Sequence, residues 1–117
     1  MPHVVLEGPV SLEQCQARFE PFVVREGDLL VKVERFYRES AGRAALIETL
    51  VVDHGHTQKF FIQLSPRDGG LTVRLEPLTD PEKTTGVRRA LALVAHRIRQ
   101  TSGCAYGSTN LEEYLIP

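Results

Sequence analysis

Four groups of residues have types and spacings that could support chemistry. Asp53-His54-Gly55-His56 places three metal-capable side chains within four positions. Neutral imidazole and carboxylate together suit zinc and similar ions. A closed zinc site needs four ligands, however, and a catalytic one usually takes three from the protein. A tight turn splays its side chains, no second cluster accompanies this one, and Gly55 is accounted for by the turn itself. The expectation is no metal and no cofactor. The two cysteines, Cys15 and Cys104, match no C-x-x-C spacing, so free thiols are expected. Cys15 shares a helical face with Leu12 and Phe19, which predicts burial. Cys104 follows a helix C-terminus, where the dipole opposes a thiolate.

Glu48 is the sole charge within residues 44–52. A lone carboxylate among apolar residues can act as a tuned acid, but a cross-strand pair with Lys32 accounts for it without catalysis. The fourth group lies in residues 81–102, where Lys83, Arg88, Arg89, Arg97 and Arg99 face one acid, Glu82. At 100° per residue, Arg88, Arg89, His96 and Arg99 share the face opposite an apolar stripe. Such a face could contact phosphates, or simply sit in water beside the acidic remainder of the chain. There is no phosphate-binding G-x-x-x-x-G-K-[ST] loop, no G-x-G-x-x-G after a strand and no G-x-S-x-G elbow.

The elements that must position these residues follow from periodicity. The chain has 117 residues, 42% hydrophobic and 25% charged, with net charge −1. That predicts a single α+β domain over 1–117, with no global attraction to nucleic acid or anionic lipid. The start lacks a basic, apolar leader pattern and no run is long enough to span a membrane, so a cytoplasmic location is expected. Residues 1–10 read as an extended segment. Ser11 caps a short helix, with Gln14 placed for a capping box. Phe22-Val23-Val24 is ambiguous between helix and strand. Four strands follow, at 29–38, 43–53, 57–65 and 70–76, joined by short turns, which implies an antiparallel meander. A His54-Gly55 turn sets Ile47 opposite Ile62 and Ala45 opposite Leu64. The neighbouring hairpins are read with Lys32 opposite Glu48 and Ile62 opposite Val73. Residues 81–102 form the long helix, with Thr79 or Asp80 as cap and Val87, Leu91, Val94 and Ile98 as its stripe. The tail, 104–117, ends apolar and is expected to dock.

The predicted architecture is therefore a two-layer sandwich: a four-stranded antiparallel meander, a short N-terminal helix, and a long C-terminal helix across one face. The second face is the informative one. Residues 43–53 are apolar on both sides, and a strand apolar on both sides is normally buried on both. Leu30, Phe36, Leu46, Leu50 and Phe61 are expected to form one apolar patch, flanked by Lys32, Lys59, Arg38 and Arg74. A patch of that kind marks an interaction site. The leading expectation is a small non-catalytic binding or protein-interaction module that self-associates as a homodimer through this face. Two competing covers are the first helix and the tail. The alternative is RNA binding, either through Arg88, Arg89, His96 and Arg99 or by stacking bases on Phe36 and Phe61. The reading with least support is an enzyme built around His54, His56 and Glu48.

Overall fold

The computed structural model describes residues 1–117. The chain runs β1 (His3–Glu7), α1 (Leu12–Arg18), β2 (Phe22–Glu26), β3 (Leu29–Arg38), β4 (Ala45–Asp53), β5 (His56–Arg67), β6 (Gly70–Leu75), α2 (Thr85–Ser102) and β7 (Ala105–Thr109). A single 3-10 turn, Glu112–Tyr114, follows. The strands form one seven-stranded antiparallel sheet, in the order β2-β3-β4-β5-β6-β1-β7, curled into a half-barrel.

The four-stranded meander is thereby corrected. Its four strands are present as β3 to β6, but three more join the sheet. Phe22-Val23-Val24 resolves as β2 because Gly27-Asp28 folds it back on β3, pairing Glu26 with Leu29. The extended start becomes β1 and the tail becomes β7, two segments too short to read alone. β1 fits between β6 and β7, so β6 is an interior strand and not an edge.

The β4–β5 register is as the two-residue turn implies, from Asp53↔His56 to Ala45↔Leu64. His54 and Gly55 both carry positive φ, 51° and 80°, the geometry of a type I′ hairpin. The neighbouring hairpins are displaced by two residues. Ile62 pairs with Leu75 and Leu64 with Val73, because β5 continues through Pro66 and Arg67. Lys32 pairs with Leu50 instead of Glu48, and Val33 with Thr49. A two-residue shift leaves each side chain on its face. Beyond Val33 the ladder slips by one more, so Glu34 and Arg35 together oppose Glu48, and Phe36 then pairs with Ile47. This β-bulge inverts the rest of β3.

The core fills the concave side. Val31, Val33, Ala45, Ile47, Val51, Phe60, Ile62, Leu64, Leu71, Val73 and Leu75 line the inner face of the sheet. They pack against Val87, Leu91, Val94 and Ile98 of α2, and Leu12 and Cys15 of α1 join the same cluster. α2 starts at Thr85 under an N-cap from Thr84, whose side chain accepts from the Val87 N–H at 3.2 Å. The start expected at 81 is therefore late. Residues 77–79 form a turn and 80–84 stay outside any helix, alongside the free stretch of β5. There the Glu82 N–H donates to Gln58 at 2.8 Å, the Gln58 amide donates back to the Glu82 carbonyl, and the Phe61 N–H donates to Thr79. α1 is capped by Ser11, which accepts from the Gln14 N–H at 3.1 Å. The tail folds back on the core, where Tyr106, Tyr114, Leu115 and Ile116 pack against the cluster and the Tyr106 hydroxyl donates to the Ile116 carbonyl at 2.7 Å.

Candidate interaction face

The convex side of β3, β4 and β5 is built by cross-strand rows that the registers define. Val23, Lys32, Leu50 and Lys59 form one row, and Arg25, Leu30, Val52 and Thr57 a second. Arg35, Glu48 and Phe61 form a third, and Tyr37, Leu46, Gln63 and Arg74 a fourth. Leu30, Leu46, Leu50, Val52 and Phe61 are half-buried, shielded by one another and by the stems of the long cations. Val23 and Tyr37 are more open, at 57% and 44% exposed. Tyr37 meets Phe61 edge-on, ring centroids 6.2 Å apart, a favoured aromatic geometry.

Four of the five residues expected on this face are brought together here: Leu30, Leu46, Leu50 and Phe61. Phe36 is not. The bulge turns it to the concave side, where it packs against Phe19 at 5.6 Å between centroids. Tyr37 takes its place outside. The signal for this was in the chain, since Val33-Glu34-Arg35-Phe36 breaks strict alternation with two consecutive charged residues. The bulge also sends Glu34 and Arg35 to a shallow groove of about 410 Å³, shared with Glu48, Leu50, Lys59, Phe61 and Thr79. Lys32 pairs with Glu34 at 3.3 Å. The Glu34 carboxyl is held below its ordinary value, first by hydrogen bonding to Glu48 and then by Lys32. The Tyr37 hydroxyl and the carboxylates of Glu48 and Glu34 raise the Arg35 guanidinium further. The face thus alternates apolar residues with charges of both signs.

The turn at 77–79 borders the groove on this face through Thr79, and the helices and the tail lie elsewhere. Both helices and the tail pack against the single core cluster on the concave side.

The basic side of α2 is differently placed. Arg89 donates from Nε to Glu26 at 3.2 Å and from Nη1 to the Tyr114 carbonyl at 3.2 Å. Arg97 stacks over Phe22 at 4.2 Å, and Arg99 over Tyr106 at 4.6 Å. His96 is half-buried and its Nδ1, shielded from water, has no hydrogen-bond partner. Burial, then Arg99 and Arg97, push its pKa below the ordinary 6.5. The tail therefore occupies much of the surface that Arg88, Arg89, His96 and Arg99 were expected to offer.

His54 is fully open and sits 3.8 Å from Asp28 and 3.7 Å from Asp53. The other carboxylate oxygen of Asp53 accepts the Gly86 N–H at 3.0 Å, tying β4 to the first turn of α2. No three His, Cys, Asp or Glu side chains are grouped as a metal ion requires. Cys15 and Cys104 are both free and buried. Burial, and then Cys104, push the Cys15 thiol up to about 11.

Fold and face together define a small α+β domain: an antiparallel half-barrel filled by one helix, with the convex side of its central strands left open. Comparison with protein-family models, with curated proteins and with solved structures finds no match to this chain. No helix is long and apolar enough to cross a membrane.

Proposed function

We propose that the chain is a non-catalytic interaction module that self-associates through the convex face of β3–β5. The observation that carries this reading is the pattern of β4. Ala45, Ile47 and Val51 are buried in the core that α2 shares, while Leu46, Leu50 and Val52 on the opposite side are half-buried and stand outside that core. A strand apolar on both faces, with one face uncovered, asks for a partner. A second copy suits a face that carries charges of both signs, with Lys32 and Lys59 in the row beside Glu48 and next to Glu34. A twofold partner laid sheet on sheet covers the apolar residues between them.

The test is Leu46→Asp, which places a charge on the β4 strand of the face without touching the concave core. Light scattering on a sizing column reads the mass, and circular dichroism confirms the fold. A folded variant reduced to a smaller species supports the reading. A folded variant with unchanged mass overturns it.

A further inference from the structure

We propose that the β2 edge is a second contact between copies of this chain, made by antiparallel pairing of β2 with itself about a twofold at Val24. The proposal names the same partner as the self-association reading, but it rests on a different part of the molecule. β2 and β7 are the two edges of the sheet. Exposed edges are templates for pairing unless they are blunted. β7 is blunted, since its ladder with β1 slips between Val4 and Leu6. β2 is not. It pairs with β3 in unbroken register from Phe22↔Val33 to Glu26↔Leu29. A two-residue turn makes Glu26↔Leu29 a hydrogen-bonded pair, so Val24 and Phe22 also bond inward. The N–H and C=O groups of Val23 and Arg25 therefore point outward, and neither residue has another hydrogen bond in the chain.

Residue chemistry then selects one register. Pairing two copies through their outward groups allows Val23 to oppose Val23, Arg25 to oppose Arg25, or Val23 to oppose Arg25 of the other copy. The first sets Pro21 against Arg25, and proline has no N–H to give. The second sets two guanidinium groups directly opposite, which is unfavourable. The third pairs Val23 with Arg25 twice, Phe22 with Glu26 twice, and Val24 with itself across a non-hydrogen-bonded position. It uses every outward donor and acceptor and keeps the two convex faces on the same side of a continuous sheet. A five-residue strand pair is small beside the ~1,600 Å² of a stable interface. Edge and face contacts are both twofold, and together they close at four copies where their axes meet at right angles.

Disulfide trapping reads the edge even where it associates weakly. Single variants Val23→Cys, Val24→Cys and Arg25→Cys are incubated with oxidised glutathione, which accepts the two electrons and two protons released when two thiols join. Cβ atoms at a non-hydrogen-bonded antiparallel pair lie within reach of a disulfide, and the two native thiols are buried. The expected result is a reducible covalent dimer that forms fastest at Val24→Cys and is lost when Val23→Pro or Val23→Lys is added. Val23→Pro removes only an outward donor, and Val23→Lys keeps the whole backbone should the proline disturb folding. Fastest trapping at position 23 or 25, or none at 24, overturns the proposal. Adding Leu46→Asp separates the two contacts. Trapping at 24 that persists in the Leu46→Asp background supports an independent edge, whatever becomes of the face reading, and trapping that vanishes there overturns it.

Discussion

Gly86→Ala should destabilise the protein, although alanine is the better helix former. Gly86 is the second residue of α2 and is fully packed onto β3 and β4. Replacing glycine by alanine in a helix interior gains up to about 1 kcal/mol, and less in a first turn. Against that gain, a Cβ at this position would lie 2.7 Å from Val51 Cγ1, 2.8 Å from Leu29 Cδ1 and 2.9 Å from Asp53 Oδ2. Leu29 and Asp53 can swing aside. Val51 cannot, because it is fully buried and β-branched, with one short rotatable bond. Overpacking of this kind costs about 1–3 kcal/mol. Moving Asp53 also weakens its hydrogen bond to the Gly86 N–H, another ~1 kcal/mol. The clash wins, with a net loss of about 1–3 kcal/mol. Urea unfolding followed by circular dichroism measures it, with Thr85→Ala as the neighbouring exposed control, expected to change stability by only a few tenths of a kcal/mol. A Gly86→Ala protein as stable as the parent, or more so, would refute the tight seating of α2 on β4.

Leu91 is fully buried between α2 and the sheet, so Leu91→Ala should cost roughly 2–5 kcal/mol in the same assay; a loss under about 0.5 kcal/mol would mean that α2 is not seated. His54 holds φ 51° in a type I′ turn, where asparagine is favoured, so His54→Asn should leave the fold intact and raise stability by a few tenths of a kcal/mol. His96 has its folded pKa pushed below the ordinary 6.5. The unfolded chain therefore takes up its proton first as pH falls, and stability present above that value declines from about pH 6.5 downward. His96→Gln should flatten this decline in pH-dependent melts, and an unchanged slope would contradict the shift. Cys15, buried and with its thiol pushed up to about 11, should resist a thiol reagent at pH 8 in the native protein and react on unfolding; rapid native reaction would show an open site.

The parts of the fold legible in the sequence were those carried by local chemistry. Ser11 and His54-Gly55 announce a cap and a turn, and each fixes its surroundings directly. The stripe Val87, Leu91, Val94 and Ile98 identifies the buried side of α2. What escaped is non-local. β1 and β7 are five-residue segments whose strand character comes from distant partners, β1 pairing with β6 and β7, and β7 with β1 across almost the whole chain. The start of α2 moved because Gln58, on another strand, holds Glu82 extended. Much of the face was legible from β4, whose two apolar sides need no neighbour to be read. Phe36 and Tyr37 were exchanged because one bulged residue inverts every side chain beyond it, and the double charge Glu34-Arg35 was its only mark.

Whether the convex face of β3–β5 is an interface is decided by sedimentation equilibrium of the unmodified chain across a concentration series at moderate salt. The expected mass is at least twice 13.1 kDa, falling toward the single chain only on dilution. A single-chain mass at every concentration would mean that the face joins no second copy.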